Sequence, residues 1–290
     1  VEKSCSKCGA ANKEGSHYCH SCGAYLSSSG TGAETETAEI NVAYPEATDL
    51  HLRIRVGACR LKIVPGGGKA WVTGSYQYPK GALPLKIDEK GGRVTITQDY
   101  DVAGLGGLFR YTPRFELALG KARPYALTLE AGASDHAVDL GGLPIKELVI
   151  KHGAGRAESD FSAPNPQEMT SLLVNSGAVG LQMKNLANAN FAEMIFDGGA
   201  ASYKFDFGGT LRRDSWAKIS TSLAQVEIRI PSSMAARVIE NTVAASLNLG
   251  DGFTKKGGAF LTEAALAGKT PALTIRANVS LGSLILRATQ

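Results

Sequence analysis

The sequence predicts an all-β chain: a parallel β-solenoid of single-stranded coils behind a small four-cysteine module. Three observations carry this reading. First, segments of one plan recur every 21 to 24 residues, beginning at Leu127, Leu148, Leu172, Met194 and Ala217. Each joins an apolar strand, a small-residue pivot and a second alternating strand: LTLEAGASDHAVDL, LVIKHGAGRAESDF, LLVNSGAVGLQMKN, MIFDGGAASYKFDF and AKISTSLAQVEIRI. A unit this short cannot bury an apolar face alone, but stacked neighbours share one continuous core. Second, the 34 glycines among 290 residues lack the three-residue period of collagen. They suit a chain of many tight corners, because glycine reaches positive φ without a Cβ clash. Third, four of the five cysteines form two CxxC pairs near the start.

Those pairs, Cys5-Ser6-Lys7-Cys8-Gly9 and Cys19-His20-Ser21-Cys22-Gly23, are near-identical knuckles separated by ten residues. Four thiolates so placed surround one zinc ion tetrahedrally at about 2.3 Å, and Gly9 and Gly23 let each turn curl its N–H groups toward sulfur. The prediction is a structural Zn2+ site formed by Cys5, Cys8, Cys19 and Cys22, with no position left for a substrate. His17 and His20 are rival ligands, but either would waste one arm of a complete pair. On ligands alone, iron and a redox CxxC remain alternatives. Tyr18, Tyr25 and Leu26 supply most of a very small core, so the metal carries much of the folding energy. Residues 1–26 are therefore assigned to a ribbon, residues 27–39 to a flexible polar linker, and residues 40–290 to the solenoid with irregular capping segments.

From Ile40 the chain reads as short strands. Leu52/Ile54/Val56 and Cys59/Leu61/Ile63 are separated by Gly57-Ala58, which shifts the alternation; Val94/Ile96 and Phe115/Leu117/Leu119 frame a similar pair. Alternation continues in Val179/Leu181/Met183, Tyr203/Phe205/Phe207 and Val226/Ile228/Ile230. The spacing leaves no room for βαβ units. Residues 158–170, with Pro164 and Pro166, read as a loop; residues 232–243 admit a turn of helix; residues 250–258 read as a long loop and residues 271–289 as the final strands. Cys59 reads as a small inward hydrophobe.

The opening pair LRIRVGACRLKIVPGG, from Leu52, and the closing pair LTIRANVSLGSLILRA, from Leu273, share the plan of the repeats. Together they resemble the bacterial toast-rack, adhesin-like β-solenoid domains, which include the carboxy-terminal domain of LiaF-type cell-envelope stress regulators. The Cys5–Cys22 stretch resembles the short zinc ribbons found ahead of many bacterial and archaeal domains. The resemblance implies a rigid scaffold for sensing, adhesion or assembly, and it brings no catalytic set. Envelope members of the family usually carry transmembrane helices where this chain has a polar linker.

A formal charge of +4 gives only a mild positive field. Arg53, Arg55, Arg60 and Lys62 alternate with apolar residues and read as the wet side of a strand, with a polyanion-facing stripe as the alternative. Residues 1–26 hold three lysines, no arginine and two glutamates, a weak footprint that disfavours nucleic acid as a partner. Asp135, His136 and Asp139 cluster in sequence, as do His152, Ser159 and Asp160. However, Asp139 and Asp160 share their repeat position with Lys184, Asp206 and Arg229, the mark of a solvated face. Gly104-Leu105-Gly106-Gly107 lacks the GK[ST] ending of a phosphate loop and reads as a turn.

Two clusters, Trp71/Tyr76/Tyr78 and Phe109/Arg110/Tyr111/Arg114, read first as core or cap packing. Exposed together, they would make a partner-binding surface. No run approaches the roughly 20 apolar residues of a membrane span. The expected location is the cytoplasm, with peripheral envelope or cell-surface assembly as the alternative for a processed chain. The sequence thus predicts a noncatalytic scaffold or protein-interaction module, acting with a protein partner or as a homo-oligomer. A nucleic-acid regulator and a polysaccharide-active enzyme are the weaker readings.

Overall fold

The computed structural model describes residues 3–5, 8–12, 20–22, 34–80, 85–98 and 112–289. The chain divides into two compact units, Val1–Thr35 and Glu36–Gln290. In the first, β1 (Lys3–Ser4) pairs antiparallel with β2 (Ala11–Asn12).

The second unit opens with β3 (Thr35–Val42), so residues 35–39 are strand where the sequence suggested linker. Pairing with a neighbouring strand orders this backbone although most of its side chains face water. Next come β4 (His51–Val56), β5 (Cys59–Pro65), β6 (Val72–Pro79), β7 (Leu85–Lys90), β8 (Arg93–Gln98) and β9 (Arg114–Leu119). β4 and β5 are the two arms of one rung, and β8 and β9 run parallel beside them as a second. β6 and β7 then pair antiparallel on β9 and β8, and β3 lies on β6, closing this end.

Trp71 and Tyr76 are fully buried in that cap. Trp71 stacks on Tyr44 and meets Tyr125 edge-on, each at 5.5 Å between centroids, while Tyr76 stacks on Phe115 at 4.2 Å. The partner-surface option for Trp71 and Tyr76 is therefore corrected: their rings seal the end of the core. Tyr78 stacks on Tyr76 and is half-buried. Phe109, Arg110 and Tyr111 lie outside the described residues, and Arg114 opens β9 as an exposed side chain.

The body is β10 (Tyr125–Asp139), β11 (Ile145–Asp160), β12 (Met169–Lys184), β13 (Phe191–Asp206) and β14 (Ser215–Pro231), one strand per coil, all parallel. Leu127, Leu148, Leu172, Met194 and Ala217 are successive Cα partners, so the register of the sequence repeat is the register of the sheet. In β10, Leu127, Leu129 and Ala131 face inward, Gly132 and Ala133 both face out, and Ser134, His136 and Val138 face inward again. Two successive outward residues flip the parity, which lets both arms line one core. The connecting segments add Leu140, Leu143, Phe161, Leu186 and Phe207 to it. There the side-chain amides satisfy buried carbonyls: Asn165 Nδ2 donates to the oxygens of Ile145 and Ala189, and Asn188 Nδ2 to that of Phe161.

The remaining elements are β15 (Ala235–Leu249), β16 (Phe253–Lys256), β17 (Ala259–Thr262), the short helix α1 (Glu263–Leu266) and β18 (Ala272–Thr289). β18 inserts between β14 and β15, parallel to both, so β15 is the last rung in space. At both ends of the stack, then, the rung that is terminal in sequence lies one place inside. Residues 232–234 form a tight turn, with Met234 N–H donating to Pro231 O at 3.0 Å, and residues 235–243 are strand and not helix, because β18 offers their backbone a strand partner. The loop expected over 250–258 is instead half of the β16–β17 hairpin, turned by Gly257 and Gly258, both at positive φ.

Candidate functional site

Three chemistries stand out, and the first is the thiol cluster. Cys5, Cys8 and Cys22 bring their Sγ atoms within 4.8 Å of one another. Cys5 and Cys22 sulfurs are 3.7 Å apart, far beyond a disulfide and close to the roughly 3.8 Å edge of a tetrahedron with 2.3 Å metal–sulfur bonds. Gly9, at φ 74°, makes the knuckle: its N–H donates to Cys5 O at 2.8 Å, and Cys5 N–H donates to Ala10 O at 2.9 Å. His20 is tied elsewhere, its backbone N–H and Nδ1 both 2.9 Å from Asn12 Oδ1. The three thiolates fit a metal ion. Cys19 lies outside the described residues.

The second is a groove of about 1120 Å³ along the solenoid face. The outward residue two places before each corner forms a row of Arg55, Glu130, Lys151, Asn175, Asp197, Ser220 and Asn278. Beside it runs a bare row, Gly132, Gly153, Gly177 and Gly199. A Cβ on Gly153, Gly177 or Gly199 would lie 3.0, 2.4 or 3.0 Å from the preceding glycine's carbonyl oxygen.

Glu130, on the first of these rows, is paired across rungs. Arg53 reaches Glu130 at 2.7 Å, Arg55 at 3.1 Å and Lys151 at 3.3 Å. Burial alone would raise the Glu130 pKa, but the hydrogen bonds from Arg53 and Lys151 outweigh it and hold the carboxyl below its ordinary value. Glu227 is similar: burial is overcome by Arg229 and Arg287, at 2.9 and 3.0 Å, so its pKa is also lowered.

The third is a histidine pair inside the bend. His136 and His152 are buried with ring centroids 4.1 Å apart, and His152 Nε2 lies 3.1 Å from Ser134 Oγ. No carboxylate is hydrogen-bonded to the His152 ring among the described residues, so none orients it as a triad would require. The acids of the two sequence clusters are spent on backbone and turns. Asp135 accepts from Arg156 N–H, Asp139 from Gly141 N–H and Ser162 Oγ, and Asp160 from Asn185 Nδ2. Ser159 is buried. Cys59 points inward as read, and burial pushes its thiol up to about 12.

Burial, reinforced by His152, pushes the His136 pKa down to about 3, and burial also lowers that of His152. An unfolded histidine takes its proton near pH 6.5. Stability is therefore full above about pH 6.5 and is lost as pH falls toward 3. By pH 4.5 the loss from His136 alone is on the order of 2–3 kcal/mol. Melting temperatures measured from pH 7 to 4.5 should fall steeply, and His136→Phe should flatten the upper part of that slope. A wild-type profile flat from pH 7 to 5 would contradict this account.

At the last rungs the surface changes character. Leu223, Leu281 and Val243 are 53%, 51% and 82% exposed. Their neighbours on earlier rungs are the alanines and glycines of the bare corner.

Residues 31–169 match the family described as the N-terminal domain of toast_rack, DUF2154. This stretch is a toast-rack domain. The fold is shared by a crystal structure named "putative cell adhesion protein" from Clostridium sporogenes. It is 16% identical, aligns with a TM-score of 0.50, and is covered completely by 88% of this chain. A "putative adhesin" from Parabacteroides distasonis aligns at 9% identity and a TM-score of 0.38, over 88% of this chain and 97% of its own. No curated protein matches the chain. The solenoid itself continues past the matched residues through β12–β15 and β18 with the same bent-strand plan.

Proposed function

We propose that the chain is a noncatalytic protein-interaction scaffold of the adhesion or assembly kind, working through the carboxy-terminal end of its solenoid. The observation that carries this reading is the change of side chains along the corner. Gly132, Gly153, Gly177 and Gly199 give way to Ser222, Ser280 and Val243, and Ala133, Ala154, Ala178 and Ala200 give way to Leu223 and Leu281. Exposed aliphatic groups add nothing to the fold here and gain free energy only when another surface covers them. The name of the Clostridium sporogenes protein agrees with that use.

In the same proposal Cys5, Cys8, Cys19 and Cys22 hold one structural Zn2+, each CxxC pair supplying two thiolates. Thiolate ligation fits a reducing compartment, and we place the chain in the cytoplasm on that ground.

Cross-linking mass spectrometry in the native cells tests the interaction. Lys255, Lys256 and Lys269, exposed near the last rung, should link to another polypeptide, and Leu223→Ser/Leu281→Ser should lose those links. Links confined within the chain, or turnover of a polysaccharide by the purified protein, would remove this reading.

A further inference from the structure

We infer that β15 is a docking edge for a second copy of this chain, the two copies joining edge to edge about a two-fold axis. The inference rests on the interaction reading above and names its partner. β15 pairs along its length with β18 on one side, whereas on the other side β17 meets only Arg237 and Val238. Thr262 Oγ1, which binds Ala236 N–H and Met234 O, fastens the cap to the same beginning of the strand. No strand pairs with that side of residues 239–249 among the described residues; there the Thr242 N–H is taken by the Glu240 carboxylate at 3.2 Å, and Val243–Leu249 carry the rest of the unpaired side. At about 3.4 Å per residue, residues 239–249 make some 37 Å of edge. Such an edge is a template for another strand.

The side chains along it reinforce the argument. Leu247 and Leu249 occupy rows that are fully buried on the preceding rung, as Leu284 and Leu286, yet here they are 37% and 40% exposed. They end the core without a lid. Val243 and Leu281 stand at the adjoining corner.

The occupant follows from charge and from the other end of the stack. Asn241–Leu249 contains no charged residue, so two copies of it meet without like charges opposed in any register. The usual guards of an exposed edge, lysine and proline, are missing from this segment. The amino-terminal end cannot serve as the complement in a head-to-tail chain. Its outer strand β7 pairs only with β8 among the described residues, and it carries exposed Lys86, Asp88, Glu89 and Lys90, charged guards of such an edge. An edge whose last nine residues are uncharged at one end, against a charged edge at the other, favours an isologous dimer that goes no further.

Sedimentation velocity of the full chain across a concentration series tests this directly. The expected result is a monomer–dimer equilibrium without larger species. Val243→Lys/Leu281→Lys should weaken it ~tenfold or more while leaving the melting temperature unchanged, since both side chains face water in the single chain. Ile87→Lys, which alters an exposed apolar residue on β7, should leave the dimer intact. A chain that stays monomeric, one that forms open polymers, or a dimer indifferent to the double variant would overturn the inference. A monomer that still cross-links to a different polypeptide through Lys255 or Lys256 removes the second copy but keeps the interaction reading. Absence of both removes both.

Discussion

Replacing Gly155 with alanine should destabilise the solenoid severely, whereas replacing Gly180, its near neighbour on the next rung, should not. Gly155 sits at φ 119°, a conformation that L residues rarely adopt, and a Cβ there would lie 2.1 Å from Ser134 O. The obstacle is the backbone of the adjacent rung, which cannot move without breaking the parallel ladder. Backbone strain and overpacking together cost roughly 3 kcal/mol or more. In a domain of this size that is a fall in melting temperature of about 6–12 °C. Gly180 pairs with Arg156, has no positive φ, and meets nothing within 4 Å of a built Cβ. Gly180→Thr should be neutral or stabilising by up to ~1 kcal/mol, because the strand gains a side chain suited to its pleat and loses unfolded-state entropy. Thermal melts of the two variants beside the parent decide it, and equal effects would contradict the assigned geometry.

Removing the metal should unfold the amino-terminal module and leave the solenoid standing. Among the described residues of the module, β1 and β2 are two residues each, so on the zinc reading proposed above the ion supplies most of what holds the three sulfurs within 4.8 Å. Purified under metal-retaining conditions, the chain should carry one Zn2+, and Cys5→Ser or Cys22→Ser should lose it. In those variants the amides of residues 3–12 should exchange freely, while the solenoid melts as before on its own core. A metal-free parent chain, with both variants folded like it, would refute the ribbon.

The interior of the solenoid was legible in the sequence because its information is local. An alternating strand with a small-residue pivot fixes which residues face inward, and repetition fixes the register; Asp139, Asp160 and Lys184 stack as partners, as do Asp206 and Arg229. The order of the end rungs was not legible, because which distant strand pairs with which leaves no trace in periodicity. Nothing in LTIRANVSLGSLILRA says that it lies between β14 and β15. The Gly257-Gly258 hairpin did have a signal, two glycines between short alternating runs, hidden by the polar lysines before it. Trp71 and Tyr76 showed the opposite difficulty: aromatics next to glycines suit a binding surface and a cap equally well, and only burial separates the two. The candidate edge on β15 could not have been found from composition, since its meaning depends on what β18 and β17 cover and leave uncovered.

The central claim is that the last rung of the stack is where the chain makes its contacts. Hydrogen exchange of residues 239–249, compared at low and high chain concentration, tests it most directly. Among these amides, those facing β18 should be protected at both concentrations, like the rungs β10–β14. Those facing away should exchange quickly when dilute and slow down as concentration rises. Concentration-independent exchange would contradict the claim: if fast, the edge stays open; if slow, the chain already covers it.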